Sequence, residues 1–339
     1  MNVYKTMEYI KELCLIPSPT GFTHEAAEFL KKKFTDMEFN PVSTVKGSVL
    51  VELGGEGNPI VLSAHIDTLG AMVRAVKPNG RLRLTKIGGY PENNIEAENC
   101  MIHTRDGRTY SGCIQLTHSS VHVYNDIRTM ERNDTNIEVV IDEKVNNKDD
   151  VKALGIKAGD FISLDPRTII TDSGFIKSRH LDDKASAGML IHLAELIKSG
   201  ELNLSRKTYV LFTTYEEVGH GASAGLPEDI TEILAVDMGC VGDDLETDEF
   251  KVSICAKDSS TPYDYDVTTK LIEICEKHGL NYAVDVYPYY GSDAGAALRS
   301  GRDIKFGLIG TGVASSHGYE RTHREGIENT LKLIIEYLK

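Results

Sequence analysis

The chain has 339 residues, 41% of them hydrophobic and 26% charged, which is ordinary for a soluble globular protein and long enough for two domains rather than one core. A formal net charge of −14 argues against partners that reward lysine and arginine, so no nucleic acid and no anionic membrane is expected, while peptides and small substrates stay open. No apolar run approaches a membrane span, MNVYKTMEYIKEL is too polar for a signal peptide, and the six cysteines form no C-x-x-C pair, so the expectation is a cytoplasmic protein with reduced thiols.

Taken in order, residues 3–15 read as a helix stopped by Ile16-Pro17-Ser18-Pro19-Thr20-Gly21. A second helix is expected after Thr23 as N-cap, with Ala26, Phe29, Leu30, Phe34 and Met37 on one face. Strands are expected at Ser48–Leu53 and Pro59–Ala64, the second running into His65-Ile66-Asp67. Positions two apart on an extended segment share a face, so Asp67 could stand behind His65 and accept its other ring N–H, fixing the tautomer that offers a lone pair to a metal. A hydrogen-bonded structural histidine is the competing reading of that tripeptide.

From Ala71 to Ile170 helical periodicity is largely absent. Short alternating segments such as Arg81–Leu84, Cys113–Leu116 and Ile137–Ile141 are separated by turns at Pro78-Asn79-Gly80 and Asp106-Gly107, which predicts a small β-rich, barrel-like domain inserted into an α/β chain. Asp142–Lys152 reads as a solvated loop. The expected organisation is therefore residues 1–70 and 171–339 in one α/β domain and 71–170 in the insertion.

The α/β texture resumes with His180-Leu181-Asp182-Asp183-Lys184 at the start of a helix whose apolar side carries Ala185, Met189, Leu193, Leu196 and Ile197. Carboxylates are favoured at a helix N-terminus with or without a metal, so capping competes with ligation for Asp182 and Asp183. The apolar stretch Val210-Leu211-Phe212 predicts a buried strand that delivers Glu216 and Glu217 at its carboxyl end, where ligands gather in open α/β sheets. Neighbours on an extended backbone point to opposite sides, which would let one glutamate hold a metal and the other move a proton. Ile233–Val236 predicts another strand, ending in Asp237. The remaining third predicts a helix near Asp266–Lys277, a strand near Asn281–Val286, a short helix opened by Gly291-Ser292-Asp293-Ala294-Gly295, a strand at Ile304–Ile309 and a final helix. Gly310-Thr311-Gly312 lacks the Gly-Lys-Ser/Thr of a phosphate loop, and His317 and His323 are both candidate ligands.

His-x-Asp, Asp-Asp, Glu-Glu, a strand-end Asp and a late His together suggest a two-metal site whose imidazole and carboxylate ligands suit zinc first, with cobalt or manganese as alternatives. Without cations those carboxylates would repel one another. In order and spacing these motifs resemble the dinuclear-metal aminopeptidases that include glutamyl aminopeptidase, deblocking aminopeptidase and the tetrahedral (TET) enzymes, some of which are labelled endoglucanase. The resemblance covers nearly the whole chain.

It implies an α/β catalytic domain with a mixed sheet sandwiched by helices, of the phosphorylase/peptidase-like type, and an inserted β-barrel-like, PDZ-like domain that joins subunits into a dimer-based homo-oligomer such as a dodecamer. It implies a metallo-aminopeptidase acting on peptides with a free N-terminus, with two divalent ions per subunit. Carried over by residue, His65 and Asp237 would hold one ion, Glu217 and His323 the other, Asp182 would bridge them, Asp67 would orient His65, and Glu216 would be the general base. Thr68, Lys184 and the approach Glu320-Arg321-Thr322-His323 depart from the family pattern, which bears on substrate preference more than on catalysis. His323 is preferred to His317 because it stands immediately before the terminal helix. His180 and Asp183 are candidate supporting groups, and Asp293 is a candidate substrate-side carboxylate with helix capping as its rival. A deacylase of N-acyl amino acids and a non-catalytic peptide-binding scaffold are the alternative functions.

Overall fold

The computed structural model describes residues 2–339. They form two compact units, one of residues up to 67 together with 167–339, the other of residues 68–166.

The first unit is built on one mixed sheet. Its strands lie in the order Val42–Ser43, Val49–Gly54, Thr208–Thr213, Ile60–His65, Glu232–Val236, Lys305–Val313, Val252–Lys257 and Tyr282–Val286, with the short Gly239–Cys240 paired to Lys305–Val313. The middle four run parallel, and antiparallel neighbours flank them on each side. These strands are apolar at consecutive positions because both faces are covered. Leu62, Ala64, Val210, Phe212, Leu234 and Val236 pack into one core; Val61, Leu211, Ile233, Ala235 and Leu308 pack into another on the opposite face. Because the chain leaves Ile60–His65 and places later strands on both sides of it, the parallel carboxyl ends form a crevice at that strand. His65 lies there as the last residue of its strand, and Asp237 directly after Glu232–Val236.

The larger core is closed by the helices Val3–Cys14, His24–Asp36, Leu181–Lys198, Tyr265–His278 and Arg324–Leu338. The apolar stripe expected on the third of the chain's predicted helices understates what happens: Leu181–Lys198 is buried almost all round. Val3–Cys14 crosses it at Gly188, where an added Cβ would lie 2.6 Å from Ile10 Cγ1 and 2.9 Å from the Ile10 nitrogen. Small residues at this crossing are therefore packing residues. Thr23 does stand at the N-cap of His24–Asp36, but its side chain makes no capping hydrogen bond.

Two stretches differ from the sequence expectation in a way that matters for the crevice. The strand expected to end at Ile309 runs on through Gly310-Thr311-Gly312 to Val313. Its glycines serve close backbone approach: a Cβ on Gly310 would fall 1.3 Å from the Asp237 carbonyl oxygen, and one on Gly312 2.0 Å from that of Asp248. Secondly, Glu320–His323 is a strand, joined to Phe175–Ser178 and Ile169–Ile170 in a small antiparallel sheet.

The second unit is a closed six-stranded barrel in the order Gly70–Val76, Leu82–Ile87, Ile137–Ile141, Thr109–Leu116, Asn99–His103, Phe161–Leu164. Inward residues such as Ala71, Val73, Leu84, Ile102, Ile114, Val139 and Ile162 fill it with a core of its own. Within the loop expected at Asp142–Lys152 there is a helix, Lys148–Ala153: Asn147 caps it by accepting hydrogen bonds from the Asp149 and Asp150 amides, and its Val151 is buried.

Gly188→Ala forces the two crossing helices apart and should lower stability by about 1–3 kcal/mol, seen as a reduced urea midpoint with unchanged denaturant slope.

Candidate metal centre

His65 sits at the end of the central parallel strand with 1% of its surface exposed. Its Nδ1 donates to the main-chain carbonyl of Asp67 at 2.9 Å, and its Nε2 faces Asp182 Oδ1, also at 2.9 Å. The hydrogen bond that sets the tautomer thus comes from the Asp67 backbone, where the sequence suggested its side chain. The Asp67 carboxylate, 3.7 Å from the ring, is committed elsewhere: it accepts from Thr20 Oγ1 at 2.6 Å and from the amides of Glu216 and Glu217 at 3.1 and 3.3 Å. It therefore holds the loop that carries both glutamates.

Those glutamates do not lie on extended backbone. The strand stops at Thr213, and Tyr215 turns the chain with φ +65°. Glu216 Oε2 comes to 3.9 Å from His65 Nε2, whereas Glu217 Oε2 points to His317 Nε2 at 3.6 Å. Asp237 brings a carboxylate oxygen into the same cluster, so that ligand atoms of His65, Asp182 and Asp237 all lie within 4.8 Å of one another. On its other side Asp182 Oδ2 is 3.4 Å from His317 Nε2.

The late histidine beside this cluster is His317, and His323 lies elsewhere. The Nε2–H of His323 donates to the Ser173 carbonyl at 3.0 Å and its Nδ1 accepts from the Glu325 amide at 3.2 Å, which makes it the N-cap of the last helix. Its ring is packed against Phe175 and Phe250 at centroid distances of 4.7 and 4.8 Å. A neutral imidazole with both nitrogens so engaged has no lone pair to give. The position next to the final helix, which favoured His323 in the sequence, is what commits it to capping.

The other candidates fall into supporting places. Asp183 Oδ2 accepts from the His65 main-chain N–H at 3.2 Å. His180, at φ +69°, starts the Leu181–Lys198 helix and is pushed down to about 3 by burial and by Lys184 and Arg179, so it is neutral at physiological pH. Lys184 is fully buried, pushed down to about 8 by burial, and donates to Ser18 Oγ at 2.7 Å. Asp293 does not cap its helix, since Ser292 does; its carboxylate accepts from Thr213 Oγ1 and the Ala222 amide, fastening the far end of the glutamate loop. Sequence reasoning missed Glu320, whose buried carboxylate accepts from the main-chain N–H groups of Asp182 and His317. Glu320-Arg321-Thr322-His323 carries no apolar alternation to announce it, and the turning of Glu320 and Thr322 inward and Arg321 outward is visible only in the structure.

Four carboxylates, Asp182, Glu216, Glu217 and Asp237, line a cleft of about 440 Å³ together with His317, Tyr290 and Arg299. Burial favours the protonated form of all four. Hydrogen bonds from His317 and His65 outweigh it for Asp182, which is held well below the ordinary range. The others are raised by burial first and by neighbouring carboxylates next: Asp237 to about 7, Glu216 and Glu217 well above their usual values. His65 is raised because the Asp182 hydrogen bond and the surrounding carboxylates overcome the effect of burial. Glu217 Oε1 is buried without a hydrogen-bond partner. A buried, unpartnered carboxyl oxygen on a residue that lines this cleft of carboxylates and imidazole fits a divalent cation, which would supply the missing partner and offset the crowded charge.

Comparison with known proteins finds similarity over nearly the whole chain. The family profile described as M42 glutamyl aminopeptidase matches residues 47–333. YhfE of Bacillus subtilis (strain 168) is 47% identical over 340 residues, covering 100% of this chain and 98% of the relative. In fold, a TET aminopeptidase from the marine-sediment archaeon Thaumarchaeota archaeon SCGC AB-539-E09 superposes with a TM-score of 0.88 at 20% identity, covering 99% and 97% of the two chains. The TET1 peptidase of Pyrococcus horikoshii, described as assembling into a tetrahedron or a large octahedral shell, gives 0.85 at 24% identity over 98% and 99%.

His323→Ala strips the cap and orphans buried groups, so it should cost about 1–3 kcal/mol of stability in metal-free protein. His317→Ala, at a side chain 35% exposed, should cost much less; urea midpoints of the two variants measured side by side give the comparison.

Proposed function

This chain belongs to the M42 glutamyl aminopeptidase family and is a metal-dependent aminopeptidase, and on that premise we propose how its own residues divide the work. His65 and Asp237 would hold one ion, Glu217 and His317 the second, and Asp182 would be shared between them. The observation that carries this reading is the position of Asp182, with one carboxylate oxygen on the His65 side and the other on the His317 side. Zinc is the proposed metal, with cobalt or manganese compatible with the same nitrogen and oxygen donors. A pair of divalent ions there would polarise a peptide carbonyl and make a water acidic enough to attack near neutral pH.

Glu216 is the proposed general base. It lines the cleft with its side chain 15% exposed and Oε2 3.9 Å from His65 Nε2, where it would take a proton from the attacking water and return it to the leaving amine. Asp67 acts through others: its carboxylate fixes the amides of Glu216 and Glu217 and its carbonyl fixes the His65 ring. Asp293, buried and committed to Thr213 and Ala222, is withdrawn as a group that touches substrate.

The substrates are peptides with a free N-terminus. We place the protein in the cytoplasm as a homo-oligomer, dimer-based and extending to a dodecamer, with the barrel of residues 68–166 as the subunit junction. Its acidic balance and free cysteines support that setting, and among the described residues no helix is long and apolar enough to cross a membrane. The same amide chemistry would serve a deacylase, so the decisive assay pairs aminoacyl anilides with their N-acetylated forms, with and without chelator. Hydrolysis of the free amines alone, lost in chelator, supports the aminopeptidase; hydrolysis of the acetylated forms alone would replace it with the deacylase.

Glu216→Gln should keep both ions in metal analysis and lose about 10²–10⁴-fold in kcat. His317→Ala should retain one ion where the parent retains two, and His323→Ala should retain both.

A further inference from the structure

His317 reaches the cleft from the tip of a hairpin loop. Main-chain hydrogen bonds between Ala314 and Arg321 at 2.8 and 3.1 Å close that loop at its base. Inside it two residues that are not glycine adopt left-handed backbone, Ser315 at φ +59° and His317 at φ +61°. A side chain as large as imidazole occupies that region only where the surroundings over-determine it, and such residues concentrate at functional sites. What holds His317 there is identifiable. Glu320, 2% exposed, accepts from the His317 main-chain N–H through Oε1 at 2.9 Å and from the Asp182 main-chain N–H through Oε2 at 3.1 Å. Arg179 Nη1 donates to the Gly318 carbonyl at 3.3 Å, and the Gly318 amide returns to the Ser315 carbonyl at 3.0 Å.

We propose that Glu320 is a positioning residue for the second metal ion: one carboxylate, through an oxygen on each N–H, fixes the separation between Asp182 and His317. This rests on the metal-centre reading above. Glu320 is on the Glu320–His323 strand, whose register sets it opposite Ser178, three residues before Leu181 on the chain that delivers Asp182. The same side chain therefore ties the two segments that present ligands to that ion, and it touches neither substrate nor metal. The first ion shares Asp182 but takes its other ligands, His65 and Asp237, from the rigid ends of parallel strands. Loss of Glu320 should consequently loosen one ion far more than the other.

Cobalt(II) titration of the metal-free protein, followed by visible absorbance and calorimetry, tests this. Wild-type protein should take up two ions per chain. Glu320→Gln should bind the weaker ion about 10–100-fold less tightly, as loss of an outer hydrogen-bond partner does, and change the tighter ion much less. The variant's kcat at stoichiometric cobalt should fall and recover in excess cobalt, with KM little moved, a pattern that a general loss of folding would not produce. Glu320→Ala, which places no amide against the two N–H donors, repeats the titration should the glutamine variant fold poorly. Two ions bound by wild type and bound with unchanged affinities by either folded variant would overturn the role of Glu320 alone. Fewer than two ions bound by wild type would overturn the metal-centre reading and this inference with it.

Discussion

Asp182 is held between two imidazoles, and the arrangement of the catalytic unit follows from keeping that carboxylate there. Its oxygens lie 2.9 Å from His65 Nε2 and 3.4 Å from His317 Nε2, in a cleft that also contains Glu216, Glu217 and Asp237. Two like charges about 4 Å apart repel by roughly 4 kcal/mol at the effective dielectric of a protein site. A buried group of four carboxylates is therefore unstable as four anions, and the proton affinities of three of them are raised by burial first and by that repulsion next. Cations of high charge resolve it, which makes the metal requirement a property of the fold's own electrostatics as much as of its chemistry.

The scaffold holds this cluster mainly with buried carboxylates that accept main-chain N–H groups. Asp67 clasps the amides of Glu216 and Glu217, Asp293 that of Ala222, and Glu320 those of Asp182 and His317. Away from the cleft Asp285 does the same for Glu246 and Thr247, and Asp258 for Ser260 and Thr261. The N–H dipoles aligned on such a carboxylate favour its charge, working against the burial that raises Glu320 to about 8 and Asp293 above its usual value. Part of the acidic excess, 51 acidic against 37 basic residues, is thus structural and internal.

Left-handed backbone occurs at the same place. His180, Tyr215 and His317 all have φ between +61° and +69°, and each stands at or within two residues of a proposed ligand or base. The sharp turns allow loops after strand ends to aim side chains into a crevice that regular strands could only border. Gly310 contributes from the opposite direction, letting its strand lie against the Asp237 carbonyl where any side chain would collide.

Much of this was legible in the residues themselves. Consecutive apolar runs ending in His65, Glu216-Glu217 and Asp237 follow from strands buried on two faces, and short alternating segments bounded by turns follow from a barrel, because backbone periodicity is a local property. Which histidine enters the cleft is not local. His317 and His323 are six residues apart in similar polar surroundings, and the choice depends on Ser173, Phe175 and Phe250 enclosing one ring while Glu320 turns the other inward. The exchange of roles between the Asp67 side chain and its carbonyl, and between Ser292 and Asp293, has the same origin. Sequence by itself determined the set of groups able to bind a cation and the strands that carry them; tertiary structure decided their partners, because a buried polar group is satisfied by whatever donor the packed chain brings within about 3 Å, however distant in sequence.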